Sequence, residues 1–152
     1  KCLQGCSSGY DGATARNTTL GRVHHVNLVK LLGYCAEGSH RLLVYEFLSN
    51  GSLDQDLSTK LVRRFSIALG VAKGITYLHE CYDCILRDIK PQNILLDENF
   101  CPKVLDFGLA KLIDKERALD VTTIRGTRGY MAPVWVGDRP ITSKVDVYSY
   151  GM

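Results

Sequence analysis

Apolar residues fall into short runs in the first third of the chain and into one long helical repeat in the middle. Leu28 to Cys35 and Arg41 to Phe47 are rich in Leu, Val and Tyr. The Glu-Gly-Ser-His stretch at 37–40 separates them, so the pattern predicts two strands joined by a short turn. Residues 1–14 are rich in Gly, Ser and Cys, show no periodicity and read as loop. Ala15 to Val23 reads as the end of a helix, and Ser49-Asn-Gly-Ser52 breaks the strand pattern and opens a short helix.

The clearest helix follows. Leu61, Phe65, Ala68, Ala72 and Ile75 recur at helical spacing, with Leu69 and Leu78 alongside. Ser58 or Thr59 suits its N-cap. Gly70 and Gly74 lower its intrinsic propensity, which points to close packing against a neighbour. Ile94-Leu-Leu96 and Lys103-Val-Leu105 read as two very short strands. A polar segment runs from Lys111 to about Arg139, and Ser143-Lys-Val-Asp146 matches a capping box opening a last helix.

Composition narrows the classes. With 152 residues, 45% hydrophobic and 23% charged, the chain has the balance of an ordinary globular domain. A net charge of +3 is too weak to argue for a nucleic-acid or membrane surface. No signal peptide is evident, and the longest apolar stretch, Leu61 to Leu78, is interrupted by Arg63, Arg64 and Lys73. A start at Lys1 and a stop at Met152 inside a helical pattern read as a piece of a longer protein. Cysteines stand at 2, 6, 35, 81, 84 and 101. Cys81-x-x-Cys84 raises zinc or redox chemistry, but Cys2 and Cys6 are a poor second ligand pair, which favours free thiols.

Two segments carry chemistry: Leu86-Arg-Asp-Ile-Lys-Pro-Gln-Asn93 and Asp106-Phe-Gly108. Phosphoryl transfer from a nucleotide needs a carboxylate to orient a hydroxyl, oxygen ligands for Mg²⁺ and a cation for the moving phosphoryl group. Asp88 suits the first task, Asn93 and Asp106 the second, and Lys90 the third.

This combination resembles the catalytic loop and metal-binding motif of protein kinases, and Lys90 resembles the serine/threonine class. The segments at 24–35, 41–47, 50–53, 77–80, 126–130 and 146–151 look like plant receptor-like kinases of the lectin-receptor and rust-resistance branches. The resemblance implies an α+β, bilobal kinase-like fold, truncated, with residues 1–47 from the small lobe and 48–152 from the large one. It implies ATP and Mg²⁺ as cofactors and a protein substrate with Ser or Thr, with no nucleic acid. The parent family sits on the cytoplasmic side of the plasma membrane, anchored outside this segment, while this segment itself would be soluble. Residue by residue, it makes Tyr45 the gatekeeper, with the backbone of Glu46 and Leu48 as the adenine-binding hinge. Leu95 would lie under the adenine, and 109–129 would form the activation loop. Thr127 would bond Asp88 and Lys90, and Asp146 would brace the catalytic loop. Arg87 would dock a phosphorylated Thr122 or Thr123, unless these are merely solvated loop threonines. Lys1 aligns with the lysine that pairs with the α- and β-phosphates, unless it is an arbitrary first residue.

The pattern is broken in places. No glycine-rich phosphate loop is present, and Arg16 stands where a glutamate should pair with Lys1. Before Arg87 a histidine is expected; either Leu86 replaces it or one residue is deleted. Val134 replaces a glutamate and Leu105 a small residue. These departures keep a second reading open, a pseudokinase or binding module, and a third, a non-functional kinase fragment. The four histidines and Trp135 fit structural roles, with His79 at a helix end, and Val145, Val147, Tyr148 and Tyr150 are expected to be partly uncovered.

Overall fold

The computed structural model describes residues 3–4, 24–37, 40–55, 61–105, 111–112, 126–136 and 140–152. Three strands form one sheet in the order β1-β3-β2: β1 (Leu3–Gln4), β2 (Leu31–Glu37) and β3 (His40–Tyr45), all antiparallel. The β2–β3 ladder runs from Leu31 opposite Tyr45 to Glu37 opposite His40, so pairing extends into the expected turn. The strand at Leu3–Gln4 corrects the loop reading of residues 1–14: pairing with Leu43 and Leu42 imposes extended backbone where local composition gives no signal.

A short 3-10 turn, Leu53–Gln55, precedes the long helix α1 (Leu61–Tyr82). Then come β4 (Cys84–Ile85), a 3-10 turn at Pro91–Asn93, β5 (Ile94–Leu96) and β6 (Pro102–Val104). β5 and β6 pair antiparallel, close to the expected strands, and β4 pairs with β7 (Lys111–Leu112). A 3-10 turn at Pro133–Val136 and helix α2 (Lys144–Gly151) complete the described residues.

The main core sits where α1 meets the β5–β6 ribbon, around Leu78, Leu96 and Val104, which are almost fully buried together with Leu28, Val71 and Ile75. Each such side chain stabilises the fold by roughly 1.5–3 kcal/mol relative to exposure. The helix faces this core with Ile67, Val71, Ile75 and Leu78. Its predicted stripe is therefore corrected: Leu61 and Phe65 are 81% and 71% exposed, and Leu69 is exposed as well. Close approach selects the face. A Cβ on Gly74 would lie 2.8 Å from the Asn27 carbonyl oxygen, and one on Gly70 2.5 Å from Pro102 Cγ. Segment 27–29 then locks to β6, with Val29 N–H donating to Val104 O and Val104 N–H to Asn27 O, at 3.0 and 2.8 Å.

A second cluster joins Ile85, Ala132, Trp135 and Val145. Val145 is thus buried, against expectation, while Val147, Tyr148 and Tyr150 are exposed as expected. The capping box at α2 does not form. Ser143 makes no side-chain cap bond, and Asp146 turns its carboxylate inward instead. The predicted helix end at 15–23 and the N-cap at Ser58 or Thr59 lie outside the described residues.

Candidate active site

The segment after β4 carries Asp88 at the centre of a polar cluster. Its Oδ1 accepts a hydrogen bond from the Thr127 hydroxyl at 2.6 Å, and its Oδ2 accepts from Lys90 Nζ at 2.6 Å. Lys90 Nζ also donates to Thr127 Oγ1 at 2.7 Å, which closes a triangle between residues 88, 90 and 127. Asn93 Nδ2 donates to the Asp88 carbonyl at 2.8 Å and to its Oδ2 at 3.2 Å. Asp88 is buried and Lys90 half-buried, so the charges attract in a medium where water screens them less than at the surface.

Several devices hold this geometry. Arg87 has φ 73°, a left-handed conformation that costs a non-glycine residue about 1–3 kcal/mol. The Asp146 carboxylate offsets that cost by accepting from the Leu86 and Arg87 N–H groups, each at 2.8 Å. His79 Nε2 donates to the same carboxylate at 2.8 Å. Asp146 is fully buried, and three donors satisfy it. Leu86 is itself a core residue of the main cluster, so the position before Arg87 is occupied by a packed leucine. On the opposite side, Gly126 has φ 151° and passes the Arg87 carbonyl so closely that a Cβ would lie 3.3 Å from that oxygen. A side chain there would crowd that oxygen and the Met131 sulfur, which would lie 3.2 Å away.

The segment after β3 meets β5, with Asn50 N–H donating to Leu96 O at 3.3 Å and Leu96 N–H to Gly51 O at 2.9 Å. The Glu46 N–H already donates to Lys30 O at 3.0 Å, so of its backbone groups only the carbonyl can serve a ligand. The Leu48 N–H and carbonyl have no hydrogen-bond partner among the described residues. Leu95, between the buried Ile94 and Leu96, is only half-buried and bridges to Ser52, which brings it near the end of that segment. Tyr45 is half-buried against the main core. Arg87 places its guanidinium 5.3 Å from the centre of the Trp135 ring. Asp106, Lys1, Arg16, Phe107, Thr122 and Thr123 lie outside the described residues.

Two contacts escaped sequence reasoning. His79 fills the structural role expected of it at a helix end, but its partner, Asp146, was not foreseen. The Glu46 side chain pairs with Lys103 Nζ at 3.3 Å, a contact that no motif announces. The histidine–glutamate pair closing the α1 apolar run was the available signal for the first.

Cys84 is buried, and burial pushes its thiol up to about 12, with the Asp146 charge adding to the effect and Arg87 opposing it. Cys81 is exposed, so the two members of the Cys-x-x-Cys pair have opposite environments. Among the described residues no helix is long and apolar enough to cross a membrane.

The chain was compared with known proteins. The family model described as protein kinase domain matches residues 10–152. A G-type lectin S-receptor-like serine/threonine-protein kinase of Arabidopsis thaliana is 56% identical over all of this chain, which covers 20% of the relative. A second from that plant is 59% identical over 88% of this chain and 16% of the relative. One from Oryza sativa subsp. indica is 55% identical over 88% of this chain and 17% of the relative. The chain thus spans about 20% of the length of the first of these curated relatives. With its fold, its clustered polar residues and a match over residues 10–152, this chain belongs to the protein kinase family and resembles plant lectin-type receptor serine/threonine kinases.

Proposed function

We propose that this chain carries the phosphoryl-transfer centre of an ATP-dependent kinase acting on protein Ser and Thr hydroxyls. The observation that carries this reading is the triangle of Asp88, Lys90 and Thr127, each pair within 2.7 Å. A substrate hydroxyl entering beside Thr127 meets a carboxylate able to orient it and accept its proton. Lys90, already charge-paired with Asp88, can shift its ammonium toward the incoming phosphoryl oxygens at little cost in reorganisation.

Members of the family use ATP and a divalent metal. Of the described residues, Asn93 fits a hard cation. Its nitrogen is committed to Asp88, and Oδ1 is the atom a metal would take. Asn93 and Asp106 would together hold Mg²⁺, which supplies charge neutralisation on the phosphates when bound. The Glu46 carbonyl and the Leu48 backbone would receive adenine, with Leu95 beneath it and Tyr45 behind. Lys1 would reach the α- and β-phosphates; the strand beginning two residues on, Leu3–Gln4, pairs with β3, which supports that reading. Arg87 would dock a phosphate on Thr122 or Thr123. Residues 1–47 would form the small-lobe part and 48–152 the large-lobe part. The parent protein would be membrane-anchored outside this segment, with the kinase part on the cytoplasmic side.

The test pairs nucleotide binding with transfer. Mg-ATP should raise the unfolding midpoint of the chain by mass action, and radiolabelled phosphate should reach a Ser/Thr substrate protein. Asp88→Asn should lower transfer about 10²–10⁴-fold while leaving the nucleotide shift intact. A midpoint that Mg-ATP does not move would overturn the proposal. Binding without transfer in the unaltered chain would select the pseudokinase reading instead.

A further inference from the structure

We infer that the Glu46 side chain is a positioning group for nucleotide, acting through Lys103; this rests on the reading above that backbone near Glu46 receives adenine. A single carboxylate oxygen ties three segments together. Glu46 Oε1 accepts the Lys30 N–H at 2.8 Å and lies 3.3 Å from Lys103 Nζ, while the Glu46 N–H donates to Lys30 O at 3.0 Å. The last pair of the β2–β3 ladder, beyond an irregularity between Leu31 and Gly33, is Leu31 with Tyr45. Lys30 and Glu46 form the next rung, with a side chain standing in for the strand carbonyl. That rung is then fastened to β6, because Lys103 is its central residue.

The location gives this fastening its consequence. β6 continues into Leu105, whose N–H donates to the Asn93 carbonyl at 2.8 Å, and its Lys103 lies opposite Leu95. One end of the Glu46–Lys103 pair is therefore in the segment that would hold adenine, and the other is on the strand whose end bonds Asn93, which would take the metal. Glu46 is the only carboxylate among the residues lining the adjoining cleft of about 360 Å³, whose walls also include His25, Lys30 and Lys103. Among the described residues Lys103 thus has Glu46 as its anionic partner. Both side chains are partly buried, at 15% and 27% exposure, so the attraction is weakened by water without being lost. The pair sets the span between the two ends of the nucleotide site.

The spanning role separates two ligands. Mg-ATP would touch both ends, whereas adenosine would touch only the adenine segment. Calorimetric titration of the full 152-residue chain with each ligand is the experiment. Lys103→Met should weaken Mg-ATP about two- to fivefold and leave adenosine unchanged, and Lys103→Arg should restore Mg-ATP affinity. Unchanged Mg-ATP affinity in Lys103→Met would overturn the inference, as would an equal loss for both ligands, which marks a merely structural contact. If the unaltered chain binds neither ligand, the underlying nucleotide-site reading fails, and this inference fails with it.

Discussion

His79 Nε2 donates to Asp146 Oδ2 at 2.8 Å across 67 residues of sequence, which ties the end of α1 to the start of α2 beneath Asp88. The same carboxylate takes the N–H groups of two successive peptides, those of Leu86 and Arg87. Asp146→Ala would leave two backbone donors and an imidazole without their buried acceptor. The expected cost is about 3–5 kcal/mol, read as a lower urea midpoint at unchanged slope. His79→Gln should cost only about 1 kcal/mol, because the backbone donors keep their carboxylate. An Asp146→Ala protein as stable as the parent would show that the brace is not structural.

The close approach of α1 to segment 27–29 predicts an inverted response to a helix-favouring change. Gly74→Ala gains about 1 kcal/mol of helix propensity in isolation. Here the new methyl would meet the Asn27 carbonyl at 2.8 Å, a backbone atom held in the ladder to Val104. Net destabilisation of about 1–3 kcal/mol is expected in chemical denaturation. Gly33→Ala, with nothing within 4 Å of the new atom, should stay within about 0.5 kcal/mol.

Thiol chemistry should follow burial. At pH 8 the Cys84 thiol, pushed up to about 12, carries almost no thiolate and has no access to reagent. Iodoacetamide should modify Cys35 and Cys81, both exposed, well before Cys84, as mass spectrometry of timed samples would read. Urea should abolish the difference. Modification of Cys84 as fast as Cys81 in the folded chain would contradict its placement.

His25 supplies a pH-dependent contribution. Burial, with the Lys73 charge as a second cause, holds its imidazole below the usual 6.5, and its Nδ1 accepts the Asn27 N–H at 3.0 Å. It also stacks on Tyr77 with ring centres 4.8 Å apart. Below pH 6.5 the unfolded chain takes up a proton that the folded chain resists, so stability falls as pH drops through that value. His25→Asn keeps an acceptor for Asn27 but does not titrate. Its stability should fall less steeply than the parent's between about pH 6.5 and 5. Parallel slopes would remove His25 as the cause.

Local sequence reached the proposed site residues because the chemistry asked of them is written in residue type and short spacing. Asp88, Lys90 and Asn93 lie within one loop, and the strands at 31–37, 40–45 and 94–96 follow from apolar runs and turn residues. The buried face of α1 was not legible in the same way. That helix carries apolar residues on most of its circumference, so periodicity alone allows a stripe through Leu61 and Phe65 as readily as one through Ile67 and Val71. Ser143 to Asp146 likewise satisfies a local capping pattern, but two backbone donors and a histidine from elsewhere compete for the carboxylate and win.

Residue order alone thus determined which side chains could do the chemistry, since a carboxylate, an amine and an amide keep their proton affinities and ligand preferences wherever the chain carries them. Only the tertiary structure decided that Thr127 closes on Asp88 across 39 residues, that Gly74 faces Asn27 and that Glu46 reaches Lys103. Such contacts depend on the summed packing of α1 against β6 and segment 27–29. No window of neighbouring residues contains that sum.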